Sequence, residues 1–363
     1  CEVAAMNLKT MKRSTKSNLI TFGIVIAFYI IIQLLSAADL LSNSFSGQLV
    51  PICAYVILAI SLNLTVGILG ELSLGHAGFM SVGAFSGTLV WVSLSATTPK
   101  PLALLLSFIV GGLVAGAFGF LVGVPVLRLS GDYLAIVTLA FGEIVKNVMN
   151  ACYLGVDANG LHFSLKDASS LNMEDGKLLI NGAQGITGIT KASNFTIGIV
   201  LVILTLVVIL NLVNSRAGRA ITSIRDNEIA ARSVGVPITK YKLMAFVTSA
   251  VFAGIAGVLY SLNYSSLVAK KFDYNTSILI LVFVVLGGIG NLRGSVIAAA
   301  VLTVLPEMLR SMNDYRMLIY AIVLIVVMIF NQSPQMVALR LKLTARFRKN
   351  RNTDGTKQKK GVA

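Results

Sequence analysis

The sequence predicts an all-α polytopic membrane protein of about ten transmembrane helices, both termini cytoplasmic, with one short amphipathic helix on the cytoplasmic side. Composition is the first reason. Of 363 residues 56% are hydrophobic and only 12% are charged, whereas a soluble domain is about a quarter charged. The second is a series of apolar runs near the roughly 20 residues that a hydrocarbon core of about 30 Å demands. The third is where the cations fall. With the amino terminus inside and ten alternating spans, 21 Lys and Arg lie inside against 8 outside, Lys146 standing within a span. That asymmetry accounts for most of the +15 net charge without nucleic acid as a partner. Cys1, Cys53 and Cys152 have neither disulfide-framework nor metal-ligand spacing, so no metal is expected.

A basic leader at 1–18, with Lys9, Lys12, Arg13 and Lys16, precedes the transmembrane part at 19–331. The first apolar run, 19–38, exceeds the usual 7–15 residues of a signal-peptide core and predicts an uncleaved span. The second and third, 50–69 and 75–95, are joined by a stretch dense in small residues, with Gly67, Gly70, Gly75 and Gly78. Such residues allow close helix approach or broken helix ends. Asn63, mid-span, needs a hydrogen-bonding partner; an interhelical bond and a place on a transport pathway are the two readings. Glu71 falls in a cytoplasmic turn, and His76 opens the third span as a hydrogen-bonded or pathway residue. Trp91 and Tyr153 fit interfacial anchoring.

The fourth and fifth spans come next, at 102–124 and 132–151. Asp132 and Tyr133 sit at the start of the fifth, just after Arg128 and Gly131, where an aspartate caps. Glu143 and Lys146 lie three apart, on one helix face. They form either a gate or pathway ion pair, or a lysine snorkelling to the outer interface with the glutamate beside it. Residues 152–194 are polar and extracytoplasmic. The sixth span is 195–213 and the seventh 242–262. The eighth, 275–290, and ninth, 294–310, are short, joined by Gly287-Gly288-Ile289-Gly290-Asn291-Leu292-Arg293-Gly294 as a tight hairpin or a re-entrant pair. Glu307 and Arg310 form an i, i+3 pair. After the tenth, 314–331, the tail 332–363 is Lys-rich, lipid-facing and disordered.

The segment 214–241, SRAGRAITSIRDNEIAARSVGVPITKYK, lies inside. Ala220, Ile221, Ile224, Ile229 and Ala230 keep an apolar stripe at helical spacing over about 217–234. Asp226 or Asn227 caps, and Gly235-Val236-Pro237 stops the helix. Such a helix either lies on the lipid surface or docks into a partner protein.

Glu228-Ile229-Ala230-Ala231 with Gly235 resembles the coupling motif of ABC importer permeases. GDYLAIVTLAFGEIVK at 131–146 resembles the signature of LivM-type permeases, the membrane subunits of branched-chain amino acid ABC importers. SLNLTVGILGELSLGHAGFMSVGAF (61–85), KLMAFVTSAVFAGIAGVLYS (242–261) and VLGGIGNLRGSVIAAAVL (285–302) are similar to the same family, in the same order. The resemblance covers roughly 50–335; the long polar 152–194 stretch and the Lys-rich tail depart from it.

The resemblance implies a non-enzymatic permease of the bacterial inner (cytoplasmic) membrane. It would work with a homologous second permease subunit, two ABC ATPase subunits and an extracytoplasmic substrate-binding protein, binding no cofactor itself. Arg225, Glu228, Ala230, Ala231 and Gly235 are the expected contacts to the ATPase; Asn63, His76, Glu143 and Lys146 are the candidate pathway residues. No G-x-x-x-x-G-K-[ST] phosphate loop occurs in the chain. Other small solutes (a nucleoside, urea, an amide) on the same architecture, and a stand-alone secondary transporter, are the rival readings.

Overall fold

A computed structural model describes residues 21–38, 42–95, 97–127, 133–157, 160–167, 169–171, 176–309 and 315–332. The basic leader, Arg128, Gly131, Asp132, Arg310 and residues 333–363 of the tail lie outside these. All ten apolar segments contain a helix. They are α1 (Thr21–Ala37), α2 (Asn43–Asn63), α3 (His76–Leu94), α4 (Lys100–Val126), α5 (Tyr133–Ala151), α6 (Phe195–Asn214), α9 (Ile238–Ser261), α10 (Tyr274–Gly287), α11 (Leu292–Met308) and α12 (Arg316–Gln332). The helices α2 to α6 and α9 are long and apolar enough to cross a membrane. With 14 residues, α10 extends only about 21 Å. Two compact units divide the chain, Cys1–Val304 and Leu305–Ala363; α12 belongs to the second.

Glycine lets the first unit pack so closely. The central helix α9 is pressed against α3 and α4, and a Cβ on Gly83 would stand 2.2 Å from the Cα of Gly254. A Cβ on Gly257 would meet the Met80 carbonyl oxygen at 2.1 Å. Small residues at both surfaces bring the backbones together where no water drives association. Aromatic side chains fill what remains, Phe79 meeting both Phe141 and Phe246.

Two departures from regular helix matter for the site. Beyond Asn63, α2 widens into a π-turn, Leu64–Leu69, closed by Gly70 at φ 85°. The left-handed backbone there suits glycine. Between α10 and α11 the chain reverses through Gly288 and Gly290, at φ 94° and 79°.

The expectation of an all-α chain is corrected at 152–194. This stretch forms an antiparallel sheet of β1 (Tyr153–Asp157), β2 (Gly160–Ser164) and β3 (Lys177–Asn181), in the order β2-β1-β3. A further strand, β4 (Ile186–Thr187), pairs with β5 (Ser266–Leu267) after α9. Apolar and polar residues alternate in β2, and β1 pairs antiparallel with both β2 and β3, so the backbone satisfies itself strand to strand. Trp91 is corrected too. It is buried beneath this layer, its indole nitrogen donating to the Thr190 carbonyl at 3.1 Å, so it is no lipid anchor. Tyr153 lies half-buried in β1, under Gly182.

Gly83→Val should lower stability by about 1–3 kcal/mol through overpacking, seen as a lower melting temperature in detergent. Gly47→Ala, with nothing within 4 Å of the new Cβ, should leave that temperature unchanged or raise it.

Candidate functional site

The segment 214–241 lies between α6 and α9 and carries both buried and exposed apolar side chains. It folds as two helices, α7 (Arg216–Asp226) and α8 (Glu228–Ser233), correcting the single helix expected over about 217–234. Ser215 caps α7, accepting from the Gly218 amide at 3.2 Å. Asn227 interrupts the helix with an extended backbone and caps α8, its Oδ1 accepting from the Ala230 amide at 2.9 Å. Gly235 at φ 81° then turns the chain toward Pro237 and α9.

The break resets the helical phase. Ile221 and Ile224 of α7 face inward as the spacing predicts, but in α8 it is Ala231 that is buried, packed with Ile224 and Ile238. Ala230 is exposed. Ile229 is 83% and Val234 78% exposed, so α8 and the residue that caps its carboxyl end present branched apolar side chains outward.

Salt bridges fasten this surface to the bundle. Lys242, in the first turns of α9, is only 4% exposed. Its Nζ lies 2.5 Å from Glu71 Oε1 and 3.0 Å from Glu228 Oε2. Arg232 Nη2 meets the other oxygen of Glu228 at 3.0 Å. Glu71 belongs to the connection between the π-turn and α3, so one buried ammonium joins α8, α9 and that connection. Arg225 adds a second tie: Nη1 donates to the Gly67 carbonyl at 3.0 Å, within the π-turn, while Nε and Nη2 hold Asp226. The Arg225 side chain lies over Gly70, where a Cβ would come within 2.6 Å of its Cγ.

Of the expected ATPase contacts, Arg225 and Glu228 point back into these ties, Ala231 is buried, and Ala230 and Gly235 are at the surface. Sequence reasoning alone does not pair Lys242 with Glu71. The available signal is a lysine one turn into an otherwise apolar span, with an acid in a turn on the same side.

The candidate pathway residues fall in two places. Asn63 is fully buried; its Nδ2 donates to Ser295 Oγ at 2.7 Å and its Oδ1 accepts from the Gly290 amide at 2.8 Å. It thus stitches α2 to the α10–α11 turn. His76 Nε2 lies 2.8 Å from Ser61 Oγ, joining α3 to α2. Glu143 and Lys146 pair with each other on α5. There Glu143 Oε1 accepts from the Tyr274 amide at 3.1 Å, at the start of α10. Asp273 caps α10 beside them, accepting from the Thr276 amide at 3.0 Å. Burial works to raise the Asp273 carboxyl, but hydrogen bonds from Thr276 and Asn275 and the Lys146 charge prevail and hold it below the usual carboxylate range. Among the described residues no group of three or more His, Cys, Asp or Glu side chains could hold a metal ion.

Lys242→Met strands Glu71 and should cost about 3 kcal/mol, the low end for a broken buried pair because Glu71 and Glu228 keep 19% and 40% of their side chains exposed. Adding Glu71→Gln should restore part of it; additive losses in thermal unfolding would contradict the pairing. A lowered Asp273 pKa means that its stabilisation is present above the unfolded value of about 3.9 and disappears as pH falls through the folded one. Asp273→Ala should therefore cost about 1 kcal/mol at neutral pH and little in strong acid, measured as melting temperature against pH.

Comparison with known proteins agrees with this architecture. Residues 44–328 match the family described as branched-chain amino acid transport system / permease component. The high-affinity branched-chain amino acid transport system permease protein LivM of Salmonella typhimurium is 37% identical over 288 residues, covering 76% of this chain and 66% of that protein. Its Escherichia coli counterpart is 36% identical over 294 residues, with the same coverage. The L-arabinose ABC transporter permease protein AraH of Azospirillum brasilense is 26% identical over 326 residues, covering 85% and 87%. The chain thus spans 66% of the length of the two LivM proteins. With its membrane-spanning apolar helices and this match over most of its length, the chain belongs to the branched-chain amino acid transport permease family.

Proposed function

We propose that this protein is the membrane-spanning permease subunit of an ABC importer that carries branched-chain amino acids across a bacterial cytoplasmic membrane. A homologous second permease completes the pathway, one of two ATPase subunits docks on α8, and an extracytoplasmic binding protein delivers substrate at the sheet end. One observation carries the reading: a short helix with exposed Ile229 and Val234 is tied through Glu228 and the buried Lys242 to the Glu71 connection between two membrane helices. Force applied to the outer face of α8 reaches α3, α9 and the π-turn directly. An ATPase whose closure shifts α8 therefore shares coupling free energy with the bundle, as alternating access requires. The interior hydrogen bonds of Asn63 and His76 support a role in holding the helices that move, rather than in contacting substrate.

Ile229→Asp and Val234→Asp should leave folding intact, since both side chains are outside the core. In the reconstituted importer each should reduce ATP-driven leucine uptake by about tenfold or more, as truncated interface anchors do. Unchanged uptake in both would sink the assignment. The similarity to an L-arabinose permease over most of the chain favours one second reading, a sugar as substrate. Calorimetry of the cognate binding protein with leucine, arabinose and uridine separates these.

A further inference from the structure

A cavity of about 270 Å³ opens beside the coupling segment, and the ties described above do not fill it. It lies among the start of α1 (Thr21), the end of α6 (Leu210, Asn214), α7 (Thr222, Arg225) and the α10–α11 turn (Asn291, Arg293). No aspartate or glutamate is among the described residues that line it. Arg293 donates from Nε to Thr21 Oγ1 at 2.8 Å, yet its buried Nη2 has no hydrogen-bond partner among the described residues. A guanidinium nitrogen withdrawn from water without an acceptor is costly and points to a missing one. The other walls agree in sign. Arg225 lines the cavity, with Asp226 as its carboxylate partner. Arg219, one turn from Thr222 on the same face of α7, reaches the Asn214 carbonyl at the rim. The amino end of α11, a 17-residue helix, begins at the cavity with Leu292 and brings its dipole to bear.

We propose that this cavity is a binding site for a phosphate group, held by the Arg293 guanidinium, with Arg225, already bonded to Asp226 and the Gly67 carbonyl, forming part of the wall. A phosphate group in the cavity would neutralise the Arg293 guanidinium, which lines it, and would accept from Nη2 once that side chain rotates toward the cavity; planar arginine forks suit phosphate better than lysine does. The phosphate belongs either to an acidic phospholipid or to free inorganic phosphate. The cavity is open enough for the former, and the helices flanking it expose Ile24 and Ile26 on α1 and Val207 and Val208 on α6, along which acyl chains would lie. The proposal goes beyond the importer reading and stands without it.

The test uses the full chain, purified in detergent and stripped of lipid, with binding read by native mass spectrometry and by thermal shift. The probes are palmitoyl-oleoyl phosphatidylglycerol, the matching phosphatidylcholine, and inorganic phosphate alone. Wild type is compared with Arg293→Gln, with Arg293→Lys, and with Lys191→Gln, which removes one charge at the opposite end. Phosphatidylglycerol should bind wild type and Lys191→Gln equally and Arg293→Gln about tenfold more weakly, with Arg293→Lys between. If phosphate alone binds with the same dependence on residue 293, the source is the soluble anion. If it neither binds nor competes, the source is the lipid. Equal binding of every probe to wild type and Arg293→Gln, with both melting cooperatively, overturns the proposal. None of these readouts requires transport, so its failure is distinct from failure of the importer reading.

Discussion

A single ammonium group, that of Lys242, sets the terms for the coupling end of this molecule. A lysine buried at the foot of a central apolar helix is tolerable only when opposite charge and hydrogen bonds surround it. Glu71 and Glu228 supply both, from two other parts of the chain. The position of α8 is thus fixed by the need to neutralise a charge that α9 carries into the bundle. Arg232 balances the second glutamate and leaves the cluster near neutrality. Such a cluster adds little net stability over apolar packing, but a registry that moves one member must move the others or expose them.

The bundle behind the cluster is built for close approach. Where α3, α4 and α9 meet, glycines remove the side chains that would hold helices apart. Backbone dispersion replaces side-chain interdigitation. Several buried polar side chains bond across helices: Asn63 with Ser295 and the Gly290 amide, His76 with Ser61, Thr88 with Ser261. The Asn63 and Thr88 bonds join elements distant in sequence, so the core is specified by a few bonds that an apolar interface alone would not select.

Much of this is legible in the sequence, and the rest is hidden for identifiable reasons. Apolar run length locates every helix that the hydrocarbon core demands, because that signal is summed over many residues. The capping chemistry of Ser215, Asn227 and Gly235 is local and readable. What a stripe of apolar residues cannot reveal is the one-residue break at Asn227, which turns Ile229 outward and Ala231 inward. The sheet at 153–181 is obscured by its polar composition, though the Asn159-Gly160 pair between alternating runs is a hairpin signal. Trp91 reads as an interfacial anchor until a covering layer, built from distant residues, is known. Lys242 counts in the sequence as one more inner-side cation; its meaning depends on Glu71, 171 positions away, and no local pattern encodes that.

The π-turn at Leu64–Leu69 has a geometric consequence of its own. A π-turn holds one residue more than the α-helical turn it replaces. Absorbing that residue into regular helix would displace the downstream backbone by about 1.5 Å and rotate it by about 100°. Immediately downstream lie Gly70 and then Glu71, the residue bonded to Lys242. One residue of winding gained or lost at this helix end would therefore re-aim the Glu71 carboxylate in a discrete step rather than a gradual one.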